Sequence, residues 1–357
     1  EMLRRLVGSE MCIRDSDVKE WFVELGLPVR DNFNLEAGLR FADYSTGNDT
    51  DAFKLGGYYQ VNDQVSLRAT VQTATRHGSI TELYRGQGSS LTDLDPDPCG
   101  TDPETNIGPS YTQAQCANTG LPASLYGSDL KSPADQYNIL TGGNPNLVPE
   151  ESESTTIGIV LTPDAIPGRT LTLDYFDIVV EDKIGTIPAS TSLKNCLETG
   201  NPTFCNLIER DPIAGTLWVS PGQIITTNTN VAEESMTGFD LIFDYMLETG
   251  LGPIDIKGIT TFTESNELTV MPGEAAIECA GYYGKSCGKN PMPEVAGNYT
   301  ASLSRGNLDY VFGMRYLGET EDLNTTAIDF EDKTYFDVTV NYQFSDSMSF
   351  TAGASNI

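Results

Sequence analysis

Cysteine carries the most reactive side chain in this sequence, and its placement is regular. Six of the seven cysteines fall into three neighbouring pairs: Cys99 with Cys116, Cys196 with Cys205, and Cys279 with Cys287. Local disulfides are the expected chemistry, and they need an oxidising compartment such as a periplasm or cell surface. Free thiols and other pairings stay open, because spacing alone does not fix connectivity. Metal binding is the rival chemistry, but no C-x-x-C occurs and the ligand spacings are wrong for zinc. The seventh, Cys12, lies in residues 1–16, which carry three of the 21 basic residues and no strand pattern. That stretch has no long apolar centre and no small-residue cleavage site, so it is not a signal peptide. It is read as a non-native tail, and the domain argument starts at residue 17.

Three other groups of residues invite chemistry. Asp93, Asp95, Asp97 and Glu104 occupy the first, third, fifth and twelfth positions of a calcium-type loop. Pro98 stands where that loop wants glycine, and no helical pattern flanks it, so a Pro/Asp-rich turn is the plainer reading. The only histidine, His77, excludes any two-histidine mechanism and would have to serve any Ser-His-Asp triad. No GxSxG elbow, P-loop or GxGxxG accompanies it. His77 is therefore expected to be a rim or loop residue. Acidic residues number 51, so carboxylate pairs arise by chance everywhere and none can be nominated as a glycosidase pair. No metal centre, cofactor or catalytic residue is assigned, and the chain is not read as an enzyme.

Charge narrows the partners. Against 51 acidic residues stand 21 basic ones, a formal net charge of −30. Phosphate backbones need clustered Lys and Arg, so nucleic acid is excluded as a partner. The same balance suits salty water or cation-binding loops and does not favour a polyanionic ligand. Apolar residues make up 39% of the chain, enough for a sizeable buried or lipid-facing surface.

The elements that must hold these residues have a period of two. Phe33, Leu35, Ala37, Leu39 and Phe41 alternate with Asn34, Glu36, Gly38 and Arg40. Phe53, Leu55, Gly57, Tyr59 and Val61 repeat the pattern, as do Leu308, Tyr310, Phe312, Met314 and Tyr316. Phe336, Val338, Val340, Tyr342 and Phe344 give the last full example. Such segments form strands with one apolar and one polar face. Twelve are predicted: 17–26, 33–44, 52–61, 65–76, 153–162, 169–187, 231–247, 253–268, 293–305, 307–318, 331–344 and 347–355. No stretch approaches the run of about 20 apolar residues that a spanning helix needs, so a membrane would have to be crossed by a barrel.

Loop lengths separate a barrel from a soluble sandwich. Links 27–32, 62–64, 163–168, 248–252, 306 and 345–346 are short, whereas 77–152, 188–230, 269–292 and 319–330 are long. The modest link 45–51 completes a strict alternation. Bacterial outer-membrane barrels have this asymmetry, with short periplasmic turns and long external loops. Every cysteine pair lies in one of the three longest loops, all at one end. The fold class is thus all-β, a transmembrane antiparallel barrel over 17–357, with localisation in a Gram-negative outer membrane. The sequons at Asn48, Asn298 and Asn324 carry little meaning in a bacterial protein.

Specific motifs then resemble a family. The run Asn144-Pro145-Asn146-Leu147-Val148-Pro149-Glu150 resembles the "NPNLKPE" signature of TonB-dependent outer-membrane receptors, with Val148 for the usual Lys. Arg76 with Glu82-Leu83-Tyr84 is similar to their "R-A-P-x-I-x-E-L-Y" element, with His77 and Gly78 replacing Ala-Pro. Leu173-Asp174-Tyr175-Phe176-Asp177-Ile178, Thr237-Gly238-Phe239-Asp240 and the terminal Gly353-Ala354-Ser355-Asn356-Ile357 fit the same family. Asp97-Pro98-Cys99, and Cys196 through Asn201-Pro202 and Cys205 to Arg210-Asp211-Pro212, resemble a proteobacterial branch with cysteine-bearing loops.

That resemblance implies a barrel of about 22 strands with a plugged lumen, of which this sequence is a part, incomplete at both ends and without its plug. It implies uptake of a scarce ligand such as an iron-siderophore or an oligosaccharide. TonB, with ExbB and ExbD, would supply energy through the plug, and outer-membrane lipid would surround the wall. Ligand contacts are expected from polar and aromatic loop residues: Tyr84, Arg85, Tyr111, Tyr126, Tyr137, Trp218, Tyr282 and Tyr283. For any one of these, packing of loop against loop is the default. The alternatives are a passive porin-like channel and a secreted soluble β-adhesin or carbohydrate-binding protein. The last predicts that Leu308, Tyr310, Phe312, Met314 and Tyr316 are buried in a core.

Overall fold

A computed structural model describes residues 15–271, 275–284, 287, 290–323 and 328–357. Its main element is one antiparallel sheet of twelve long strands in sequential order, with the short strand Ile277–Glu278 pairing beside the eighth. The strands are Val18–Arg30, Phe33–Tyr44, Thr50–Asn62, Val65–Arg76, Glu150–Leu161, Arg169–Gly185, Thr229–Thr249, Gly252–Thr269, Val295–Arg305, Leu308–Leu317, Lys333–Ser345 and Met348–Ser355. All twelve coincide with the segments of period two. The first strand runs to Arg30 rather than stopping near 26. Pro28 is accommodated there, aligned with Asn34, beside a register irregularity between Pro28 and Arg30. Tight turns at 31–32, 63–64, 250–251, 306–307 and 346–347 and a longer one at 162–168 close one end. Links 45–49, 77–149, 186–228, 270–294 and 318–332 lie at the other.

Register sorts the two faces. Leu25, Ala37, Leu55 and Val71 are aligned across four strands, and Tyr310, Val340 and Ala352 across the last three. This apolar face is open: Trp21 is 78% exposed, Leu55 57%, Tyr310 40% and Phe312 42%. The core expected of a soluble β-protein is therefore not formed by Tyr310 and Phe312. A contiguous apolar wall exposed on this scale fits lipid. The opposite face is polar, and the buried polar residues Ser66, Thr172 and Asp174 all lie on it, which marks it as the concave side. Among the described residues no helix is long and apolar enough to cross a membrane, which has no bearing on strands.

A second body stands over the long-loop end. Gly88–Asp93, Gln136–Thr141, Gln223–Ile225 and Ile208–Glu209 form a four-stranded sheet, with strands contributed by both loops 77–149 and 186–228. Helices Ile80–Tyr84, Gln113–Ala117, Ala189–Thr199 and Pro202–Cys205 surround it. Its interior is a compact cluster that includes Leu121, Leu130, Tyr137, Leu193, Leu197, Phe204, Leu217 and Ile224. Only helix Ala189–Thr199 is long enough to show a period, with Ala189, Leu193, Cys196 and Leu197 buried along one face; the other elements are too short.

Candidate functional site

The polar face of the wall is laid out as paired charges. Arg68, Gly158 and Asp174 are aligned across three strands. A Cβ at Gly158 would sit 1.8 Å from Asp174 Oδ1, so only glycine lets the two ends meet. Arg68 then donates to Asp174 from Nε at 2.8 Å and from Nη2 at 2.5 Å. Asp240, next in the same row, accepts from Thr261 at 2.6 Å. Arg40 pairs with Glu20, Lys54 with Glu36 at 3.1 Å, and Lys257 with Asp255 at 2.8 Å. Cations along this face are thus largely matched by carboxylates, and those pairs contribute register more than stability.

At the rim the two family-like motifs meet on one guanidinium. Arg76 ends the fourth strand and donates to both carboxylate oxygens of Glu150 at 2.6 Å and to Glu82 at 3.0 and 3.2 Å. Glu150 also accepts the Ile184 N–H at 2.8 Å, tying in the sixth strand. Glu82 caps its own helix reciprocally with Ser79. Burial acts to raise the Glu82 pKa, but Arg76 and the Ser79 hydrogen bonds outweigh it and hold the carboxyl below its ordinary value. Asn144 and Asn146 shape the turn, with Asn146 N–H donating to Asn144 Oδ1 at 2.9 Å. Asn48 donates to Leu147 O at 2.9 Å, and Leu147 is buried. Pro149 leads into Glu150, which opens the fifth strand. The motif residues Asn144, Pro145, Asn146, Leu147, Pro149 and Glu150 thus lie in a joint between loop and wall.

Asn228 and Asn230 are not singled out by sequence reasoning, yet they complete that joint. Asn228 Nδ2 donates to Glu82 O at 3.0 Å, and Asn230 Nδ2 donates to Val148 O at 2.9 Å. Nothing in local pattern marks them, because each reaches across roughly a loop's length of sequence. His77 sits at the rim as expected, stacked on Tyr44 at 4.2 Å with Nε2 3.0 Å from Thr46 Oγ1.

The hood above the rim is built like a small soluble domain. Disulfides join Cys99 to Cys116 and Cys196 to Cys205, and Cys279 to Cys287 in the third loop, matching the three sequence pairs. Arg210 from one loop reaches Asp97 in the other at 2.6 Å, with side-chain exposures of 1% and 0%. Arg210 also donates to Thr119 at 2.7 Å and to Gly215 O at 2.8 Å, while Asp97 accepts from Cys99 N at 3.0 Å. Such a desolvated pair is tolerable only because its remaining bonds are filled. Asp97 is thereby committed to Arg210, and Glu104 pairs with Lys131 at 2.9 Å. Asp93 ends a strand, and among the described residues no metal-type cluster forms, so Asp93, Asp95, Asp97 and Glu104 do not converge.

The aromatic candidates are divided by the same architecture. Tyr137 is buried in the hood core, and Tyr111, Tyr126 and Trp218 pack against that core. Tyr126 donates to Tyr111 O at 2.8 Å, and Trp218 Nε1 to Leu130 O at 3.2 Å. Tyr84 and Arg85 belong to the neck beneath, where Gly143 N–H donates to Arg85 O at 2.8 Å. Tyr282 and Tyr283 pair alongside Glu321 and Asp322 in the third and fourth loops. The Tyr283 ring also lies 4.6 Å from that of Phe330, tilted by 49°. Beside them lies a cavity of about 520 Å³, whose lining includes Tyr282, Tyr316, Glu294, Glu319, Glu321 and Asp332. Its size suits a small ligand.

Known proteins were compared with this arrangement. A sequence model described as TonB dependent receptor-like, beta-barrel matches residues 13–357. No curated protein matches by sequence. A point mutant of the ferric enterobactin receptor PfeA from Pseudomonas aeruginosa superposes with a TM-score of 0.59 at 14% identity, covering 96% of this chain and 39% of that one. The siderophore receptor PirA from Acinetobacter baumannii gives 0.57 at 16%, covering 98% and 43%. The copper transporter OprC gives 0.51 at 12%, covering 96% and 42%. The likeness at these identities is one of fold, and the chain spans about two fifths of the length of these receptors.

Proposed function

Since the chain belongs to the TonB-dependent receptor β-barrel family, we propose that it serves in active uptake of a scarce small nutrient across a Gram-negative outer membrane. The observation that carries this reading is the two-faced wall with every long loop at one end: lipid on the apolar face, a wet lumen on the polar face, capture outside. TonB with ExbB and ExbD would drive release through the plug domain of the whole receptor. The physical requirement is that the energised state binds ligand less tightly than the resting state. Iron-siderophore is the favoured ligand class, because PfeA is named as a ferric enterobactin receptor and PirA as a siderophore receptor. OprC is named as a copper transporter, so the metal and its carrier are the part to be tested.

The test is uptake of radiolabelled iron, supplied with a panel of siderophores, by cells expressing the full gene in a receptor-deficient host. Accumulation that disappears when TonB is deleted or the proton gradient is collapsed supports the proposal. Uptake that persists without either would make the protein a passive porin-like channel. A gene product recovered in the soluble fraction would overturn both.

A further inference from the structure

Neither of the two longest loops has an interior of its own. Leu130 and Tyr137 of loop 77–149 share one core with Leu193, Leu217 and Ile224 of loop 186–228. Strand Gln136–Thr141 has its second edge covered in parallel by Gln223–Ile225 from the other loop. Asn138 Nδ2 crosses to Trp218 O at 3.0 Å and Gly222 O at 2.9 Å. Without Arg210, the Asp97 carboxylate would be buried with no cation. These links are desolvated and geometrically specific, so separating the loops would expose a core and an unpaired charge.

The common core of the joined loops also takes in Met271 of link 270–294, with Val270 and wall residue Val231 packed against it. The loops share one neck. Segments 82–87, 141–144 and 226–230 are laced together there. Asn144 N–H donates to Glu82 O at 2.9 Å, Gly143 N–H to Arg85 O at 2.8 Å, and Asn228 N–H to Gly142 O at 3.2 Å. A Cβ at Gly143 would lie 2.7 Å from Arg85 N and 2.8 Å from Leu83 O, so the segments approach as closely as backbone allows. Arg76 fastens this neck to the wall through Glu82 and Glu150.

We propose that loops 77–149 and 186–228 work as a single rigid leaf over the mouth, pivoting on the neck at Arg76, and do not close towards each other as separate flaps. This assigns a moving part to the uptake reading, and rests on that reading for its use. Its test needs neither ligand nor transport, so the two can fail separately.

Amide hydrogen exchange on the full chain in lipid nanodiscs reads the first half. In Arg210→Met, protection is expected to fall on the order of 100-fold in both 94–140 and 205–226. Leu217→Ala, a milder cavity variant, should loosen the same two segments together. Loss confined to 205–226 in either variant overturns the single leaf. Spin labels read the second half, at Ile107→Cys and Ile213→Cys in a Cys12→Ser background, both sites being well exposed. With Arg76→Met the distance between these two labels should stay unchanged, while the distance from each to Leu55→Cys on the wall broadens. Broadening between the two hood labels, or no broadening to the wall, overturns the pivot.

Discussion

The wall and the hood solve the burial problem in opposite ways. Wall strands leave Trp21 and Leu55 on an open apolar face and satisfy their backbones through sequential antiparallel ladders. The hood hides Leu130, Leu217 and Ile224 completely and adds two disulfides and a buried ion pair. One chain has thus been written for two solvents. On the proposed outer-membrane reading hydrocarbon supplies the wall's missing partner, whereas the hood, standing in water, has to enclose its own core.

The largest test of this contrast is Arg210→Ala. Removing the cation leaves Asp97 buried and uncompensated, at a cost of about 3–5 kcal/mol, all of it inside the hood. The two tryptophans separate the regions, since Trp21 lies on the wall and Trp218 in the hood. Denaturant titration of a Trp21→Phe background should show the loss, and a Trp218→Phe background should not. Equal losses in both would mean that wall and hood unfold as one. Next, replacing Cys99 and Cys116 together by Ser opens a loop of sequence separation 17, worth about 3 kcal/mol of hood stability. Trp21 emission should not respond, because no described wall strand holds a cysteine.

Leu55→Arg attacks the other side of the contrast. On a lipid face the expected cost is about 2–3 kcal/mol in vesicles, read by Trp21. On a water-exposed surface the same change would fall within about 0.5 kcal/mol, and that outcome would break the assignment of the two faces. The smallest effect concerns Glu82 at the neck. Its carboxyl is held below the ordinary value of 4.5, so its stabilising contribution is present above that pH and fades as the pH falls through the folded-state value below it. Exchange of amides 79–85 should therefore rise only below about pH 4.5, with the wall unchanged.

These differences also explain what can be read from sequence. Phe33 to Phe41 and Leu308 to Tyr316 announce themselves because a strand between lipid and water must alternate. Sequence ends the first strand near 26, whereas its pairing with the second continues through a register irregularity at Pro28 to Arg30. The hood shows a period only in helix Ala189–Thr199, and there it is the helical one. Tyr137 meets Leu217 through a parallel pairing of Ile139 with Ile224, a contact that no local pattern encodes. Residue type does not show position either: Tyr111, Tyr126, Tyr137 and Trp218 look alike in the sequence, yet Tyr137 is buried in the hood core and the other three pack, partly buried, against it. Asp97 and Arg210 stand inside patterns with family resemblance, but their pairing across the two loops becomes visible only in three dimensions.

The disulfides have one more consequence, and it concerns the order of events as the protein is made. Their partners are only 17, 9 and 8 residues apart, and every bridge begins and ends within one link between adjacent strands. A bridge of that kind ties no strand to a distant one. On the proposed outer-membrane reading, the loops can be oxidised before any strand has found its neighbour, and the closed rings leave every later strand pairing available. Maturation of the outer part and insertion of the membrane part are thereby free to proceed in either sequence.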